Sequence, residues 1–106
     1  MFVILWEFEV KPGCEERFQV VYGPDGPWVR LFRRDPRYRK TLLLRDPARL
    51  LFFFTLDFWE SESAYDEFLS LNKSTYQALD RATDGLTDAQ RPVGRYNQIP
   101  GAAPTP

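Results

Sequence analysis

The chain has 106 residues, 43% of them apolar and 16% aromatic, which is enough for one domain with one packed core. Its formal net charge of −1 provides no general field for holding nucleic acid or an anionic membrane. With one cysteine and no histidine, the chain lacks the residues for an intrachain disulfide, a histidine-based catalytic triad, a zinc site or haem bound through histidine.

The first half of the chain predicts a strand, a broken helix and a second strand. Alternating side chains predict a β-strand over residues 2–10. Helical spacing predicts a helix over residues 14–22 and a second piece over residues 28–34, separated by a turn rich in glycine and proline. The next strand is expected over residues 38–45.

The second half predicts a strand, a helix and a last strand. The run Leu-Leu-Phe-Phe-Phe is apolar on both faces, which is typical of a central strand, here over residues 50–59. Ser61 is a suitable N-cap for one helix that ends at the Asp-Gly dipeptide 84–85. The last strand is expected over residues 93–99, followed by a flexible tail over residues 100–106.

The order βαββαβ predicts a ferredoxin-like α+β domain over residues 1–99, with an antiparallel four-stranded sheet and the first and third strands at its centre. The helices can cover only one face of this sheet. By strand parity, we expect the uncovered face to carry Val3, Leu5, Phe53, Thr55, Asp57 and Trp59. A face this apolar should be covered by a second copy of the chain, or enclose a ligand, or both.

Three segments carry a resemblance to a known family. They are Phe8-Glu9-Val10-Lys11-Pro12-Gly13, the stretch from Tyr38 to Arg45-Asp46-Pro47, and Trp59-Glu60-Ser61-Glu62-Ser63-Ala64-Tyr65. In this order, within residues 2–98, they resemble the antibiotic biosynthesis monooxygenase family of the dimeric α+β barrel superfamily. The resemblance implies a homodimer in which two sheets form a barrel, with a ligand cavity between each sheet and its helices. It also implies the activity of the quinone-forming members, which oxidise polycyclic phenols with dioxygen and no bound cofactor.

The resemblance also implies site residues. The quinone-forming members use an Asn, a Trp four residues later and a Tyr six residues further on, which correspond here to Thr55, Trp59 and Tyr65. The haem-degrading members use a His on the following helix, which this chain lacks, so that reaction is not expected. Glu7 and Asp57 share the face of Trp59 by strand parity, so either carboxylate could act as the base. Trp59 is expected to border any cavity.

These residues also have structural interpretations. Trp59 and Tyr65 can be core or interface packing, and the two carboxylates can pair with arginines across the sheet. Tyr22 and Trp28 either line the mouth of a cavity or pack beneath the broken helix.

The sequence therefore predicts a cytoplasmic homodimer that binds a small aromatic or apolar molecule and resembles cofactor-independent monooxygenases, with catalysis left open. The alternative is a non-catalytic dimeric binding or structural module whose cavity is filled by side chains. Nucleic-acid binding through exposed aromatic rings is disfavoured, because the acidic Glu7 and Asp57 would oppose it. No membrane contact, no cofactor and no metal are expected.

Overall fold

The computed structural model describes residues 1–101 and confirms an α+β fold with a four-stranded antiparallel sheet. Its elements are β1 (Phe2–Val10), α1 (Glu15–Tyr22), α2 (Pro27–Phe32), β2 (Tyr38–Arg45), β3 (Phe52–Trp59), α3 (Glu62–Leu71), α4 (Lys73–Thr83) and β4 (Thr87–Asn97). A short 3-10 turn, Asp84–Leu86, joins α4 to β4. Of the predicted tail, residues 102–106 lie outside the described residues.

The strands lie in the order β2-β3-β1-β4, so β1 and β3 are central as predicted. In the antiparallel pairing of β1 with β3, Ile4 lies opposite Asp57 and Trp6 lies opposite Thr55. Residues that lie opposite each other in a ladder project to the same face. The even-numbered residues of β1 therefore share a face with the odd-numbered residues of β3.

That shared face packs against the helices and forms an aromatic core. The ring of Phe8 lies 5.2 Å from that of Phe18 on α1, and Phe18 lies 5.0 Å from Phe53 on β3. Phe18 also stacks on Tyr22, with ring centroids 4.4 Å apart. Full burial of each such side chain contributes roughly 1.5–3 kcal/mol, so this cluster is a principal source of stability.

The helix boundaries follow from short-range signals, with one exception. Ser61 caps α3 as predicted, because its Oγ accepts a hydrogen bond from the backbone N–H of Ala64 at 3.1 Å. The single helix predicted after Ser61 is instead two helices, which meet at Asn72. The Asn72 side-chain amide donates to the carbonyl of Phe68 at 3.0 Å, which satisfies the end of α3. No helix within residues 1–101 is long and apolar enough to cross a membrane.

The last strand differs from its prediction over residues 93–99. β4 begins six residues earlier, at Thr87, and includes Pro92. Proline lacks an N–H and normally ends a strand, but an edge strand tolerates it at a position that does not need a donor. Pro92 lies opposite Trp6, next to an irregularity in the pairing of β4 with β1.

The composition of the uncovered face was predicted only in part. Val3 and Leu5 lie there as expected, but Phe53, Thr55, Asp57 and Trp59 project towards the helices. The even-numbered residues of β3 occupy the uncovered side instead, where they lie opposite Val3 and Leu5 of β1 and opposite Leu42 and Leu44 of β2. We call this surface the open face; its apolar residues are Val3, Leu5, Leu42, Leu44, Phe52, Phe54, Leu56, Phe58 and Tyr96.

Candidate functional site

A cavity of about 170 Å³ lies between the sheet and the helices. All four strands and three of the helices contribute to its wall. Its apolar wall consists of five aromatic side chains and one valine, namely Trp6, Phe8, Tyr22, Trp28, Phe32 and Val29. Its polar groups come from Thr41, Thr55, Asp57, Tyr76, Asp80 and Gln90. A cleft of this composition, walled mainly by aromatic rings and partly open to solvent, is typical of a site for a small aromatic molecule.

Asp57, on β3, is the buried charged group of this wall. Its side chain is 7% exposed, and its Oδ1 accepts a hydrogen bond from Thr41 Oγ1 at 2.6 Å. Within residues 1–101 no donor contacts the second oxygen, Oδ2. Burial raises the pKa of the Asp57 carboxyl to about 6, and the bond from Thr41 offsets part of that increase. The carboxyl therefore changes its protonation state close to neutral pH.

A second hydroxyl extends the contact between Thr41 and Asp57. The Tyr38 hydroxyl lies 2.7 Å from Thr41 Oγ1. Because Thr41 has one hydroxyl proton and donates it to Asp57, Tyr38 is the donor in this second bond. These two consecutive hydrogen bonds, from Tyr38 to Thr41 and from Thr41 to Asp57, hold Oδ1 of Asp57 in place. The second oxygen, Oδ2, is left to a ligand.

Two wall residues on the helical side are fixed by a shared threonine. Thr83 Oγ1 donates to the carbonyl of Leu79 at 2.9 Å and accepts from Trp28 Nε1 at 3.2 Å. The Tyr22 hydroxyl lies 3.3 Å from the same oxygen. Tyr22 and Trp28 therefore line the cavity and also pack beneath the broken helix, so both interpretations of these residues hold.

Trp59 does not border this cavity, contrary to the expectation from sequence. It is fully buried, with its ring 5.8 Å from Phe32, 5.4 Å from Tyr38 and 5.4 Å from Tyr65. Its Nε1 has no hydrogen-bond partner among residues 1–101, an arrangement that costs about 1–3 kcal/mol. Trp59 lies in the aromatic core, one layer behind the wall.

Tyr65 also lies outside the lining of this cavity. Burial raises the pKa of its hydroxyl to about 12, and the charge of Asp57 adds to the increase. Its hydroxyl therefore stays protonated at neutral pH. The role that the resemblance implies for Tyr65 is therefore not that of a lining residue of the cavity described.

Glu7 lies on the opposite side of the sheet from Asp57. It pairs with Phe54 in the ladder, so it belongs to the open face, where its carboxylate lies 3.8 Å from Arg49. The prediction that Glu7 shares the face of Trp59 is therefore wrong. Among the predicted site residues, the structure brings only Thr55 and Asp57 into the cavity.

Sequence reasoning missed several wall residues. Asp80 and Tyr76, on α4, are four residues apart and therefore share one side of the helix. The signal that could have identified them is the spacing itself, because an aromatic and an acidic residue four positions apart in a helix lie on the same side of it. Thr41, the donor to Asp57, gave no such signal, because only the pairing of β2 with β3 brings the two residues together.

Comparison with known proteins supports the same architecture. The sequence matches no protein-family model and no curated protein. A variant of SnoaB, a cofactor-independent oxygenase from Streptomyces nogalater, is similar in structure, with a TM-score of 0.73 and 18% identity over 98% of this chain and 97% of that chain.

Two further structures are candidate antibiotic biosynthesis monooxygenases. The protein from Bordetella bronchiseptica has a TM-score of 0.72 and 14% identity over 92% of this chain and 96% of its own. The protein from Deinococcus radiodurans has a TM-score of 0.72 and 13% identity over the full length of both chains. The resemblance seen in the sequence is thus confirmed in the fold, which this chain shares with structures of the antibiotic biosynthesis monooxygenase type.

Proposed function

We propose that this chain is a member of the antibiotic biosynthesis monooxygenase family and that it oxidises a small, electron-rich phenol with dioxygen and no bound cofactor. The observation that carries the proposal is Asp57, a buried carboxylate with one free oxygen in a cavity walled by aromatic rings. The fold shared with a cofactor-independent oxygenase supports it.

The chemistry begins with proton transfer. Asp57 accepts the proton of the phenol through Oδ2 and leaves an electron-rich phenolate. The phenolate then transfers electrons to dioxygen. Overall, one phenol and one dioxygen give one quinone and one water, so one oxygen atom enters the ring and the other leaves as water. The aromatic walls limit the access of solvent to the intermediate.

Other residues support this step. Thr55, two residues before Asp57 on β3, offers a hydroxyl donor to the oxygen on which negative charge develops. Trp59 and Tyr65 keep a positioning role in the proposal. Trp59 packs edge-on to Phe32, which is itself part of the wall, and Tyr65 packs behind Trp59.

The volume of the cavity favours a ligand with one ring. A protein cavity of about 150 Å³ accommodates benzene, so a space of about 170 Å³ suits one substituted ring rather than the polycyclic phenols that the family resemblance implies. The alternative function, a dimeric module whose cavity is filled by side chains, does not account for this space.

We also propose that the chain works as a homodimer joined through the open face. Leu44 and Tyr96 on this face are 49% and 51% exposed in the single chain. Contiguous apolar surface of this kind is characteristic of an interface, and contact between two open faces would give the dimeric α+β barrel. A cytoplasmic location and the absence of nucleic-acid partners stay predictions.

The test of the activity compares two carboxylates on opposite faces of the sheet. Oxygen consumption and quinone absorbance are measured with catechol and pyrogallol, with the rate in the absence of protein subtracted. Asp57→Asn should lower the protein-dependent rate by about 100-fold or more, because asparagine keeps the volume and the bond from Thr41 but cannot take the proton. Glu7→Gln, which makes the same change of charge on the open face, should keep the rate.

Two results would contradict this proposal. An undiminished rate in Asp57→Asn would remove the carboxylate from the reaction. An equal loss of the rate in Glu7→Gln would show that the loss in Asp57→Asn does not depend on the position of the carboxylate in the cavity.

A further inference from the structure

The cavity carries negative charge and no positive charge. Its lining includes two carboxylates, Asp57 on β3 and Asp80 on α4, and no lysine, arginine or histidine. Within residues 1–101 neither carboxylate forms an ion pair with a lysine or an arginine. The charge of this pair is therefore available to a ligand.

The two carboxylates lie in different layers of the fold. Asp57 belongs to the sheet and Asp80 to the helices, so they enter the cavity from opposite walls. The charge of Asp80 acts on the hydroxyls of Tyr22 and Tyr76, whose pKa values are both raised, chiefly by burial. These two tyrosines therefore stay neutral and do not add charge to the cavity.

Aromatic rings complete a surface that attracts cations. The ring faces of tryptophan and tyrosine carry partial negative charge, which binds an ammonium group placed over them. Trp28 uses its indole N–H on Thr83, which leaves the ring as the part available to a ligand, and Trp6 and Tyr22 provide further rings. A molecule that combines an aromatic ring with a positive charge matches both the walls and the carboxylates.

We propose that the ligand of this cavity is a hydroxyphenylalkylamine, that is, one phenol ring whose short side chain ends in a protonated amine. The phenol hydroxyl binds at Asp57 and the ammonium group binds at Asp80. A ligand with a carboxylate in place of the amine meets Asp80 as a like charge and loses affinity. For the phenol end of the ligand, this inference rests on the proposed function. Its new part is that Asp80 makes a positively charged ligand bind more tightly than a neutral or negatively charged one.

The test uses three phenols that differ only in the end of the side chain. Tyramine carries an ammonium group after two methylene groups, para-propylphenol carries a methyl group at the same place, and 3-(4-hydroxyphenyl)propanoate carries a carboxylate there. Isothermal titration calorimetry should give an affinity for tyramine at least about tenfold higher than for para-propylphenol. The carboxylate should bind more weakly than both.

Two variants that each remove one negative charge test whether Asp80 causes the preference for the ammonium group. Asp80→Asn should lower the affinity for tyramine by about tenfold and leave that for para-propylphenol unchanged, because only the ammonium interacts with the lost charge. Asp88→Asn, which removes one negative charge at an exposed position of β4 outside the cavity, should change neither affinity. Equal affinities for tyramine and para-propylphenol, a preference for the carboxylate, or absence of binding by all three would overturn the inference.

The binding experiment and the oxygen-consumption assay can fail separately. If tyramine binds with the expected preference but no phenol consumes oxygen, the proposed oxidation fails and the ligand class stands. If catechol is oxidised through Asp57 while tyramine has no advantage, the oxidation stands and the role of Asp80 fails.

Discussion

Replacing Asp57 by asparagine should stabilise the folded protein above pH 6. Burial raises the pKa of the Asp57 carboxyl from 3.8 to about 6, and the hydrogen bond from Thr41 compensates only in part. The gap between the folded and unfolded pKa values corresponds to about 3 kcal/mol of unfolding free energy. Asparagine keeps the shape of the side chain and an oxygen that can accept from Thr41, but it carries no charge to bury.

The direction in which the unfolding free energy changes with pH follows from the protonation of the Asp57 carboxyl in the folded and unfolded states. Below pH 3.8 the carboxyl is protonated in both, so its contribution to the unfolding free energy is constant. Between pH 3.8 and about 6 the unfolded chain loses the proton and the folded chain keeps it, so stability falls as the pH rises. Above that range both states are ionised, and the full cost of burying the charge remains.

Urea unfolding of the wild type and of Asp57→Asn, followed by tryptophan fluorescence, measures this cost. Both proteins are compared at one concentration, because the unfolding of a dimer depends on concentration. The two should differ little near pH 4, and near pH 8 the variant should be more stable by about 3 kcal/mol. A difference that does not change with pH, or a variant that is less stable near pH 8, would refute the reasoning. Asp88→Asn, with the same change of charge at an exposed position, should show no such pH dependence.

Two further predictions concern assembly and ligand binding. The chain should sediment as a dimer at micromolar concentration. Leu44→Lys should make it monomeric, because dimerisation would then bury an unpaired charge in the interface. Val20→Lys, on the exposed side of α1, should leave the dimer intact. A wild-type monomer at that concentration would contradict the assembly. Tyramine should quench the fluorescence of Trp28, which lines the cavity, so Trp28→Phe should reduce the ligand-dependent signal and Trp59→Phe should retain it. The opposite pattern would mean that the ligand lies beside Trp59.

The order of the elements could be predicted because each depends on nearby residues. β1 ends at Val10 as predicted, and the turn that follows it contains Gly13, whose φ of 89° favours glycine. Ser61 caps α3 through a bond within its own turn. There were two exceptions. The helix after Ser61 is divided at Asn72, and the fourth strand extends back through Pro92, a residue that its edge position permits.

The site could not be predicted as well, because it depends on which face of the sheet meets the helices. Alternation identifies that face only when the other is polar, and the central strands here are apolar on both. Val3 and Phe8 are equally good core residues, although they project to opposite sides. The register of β1 against β3 resolves this choice, and that register arises from pairing over about fifty residues of sequence. Glu7 was therefore assigned to the wrong face, and Asp80, in the other layer, was not identified.

The position of Pro92 in β4 also affects how this chain can associate. An edge strand exposes unpaired backbone groups on which another strand can grow, and repeated growth of this kind leads to fibres. Proline removes one of those donors from β4, and charged side chains such as Lys40 and Arg45 lie along the opposite edge, β2. The phenylalanine-rich strand β3, which would be hazardous at an edge, lies between two other strands. With both edges protected, face-to-face contact is the favoured mode of self-association, and contact through one face ends when two chains have joined.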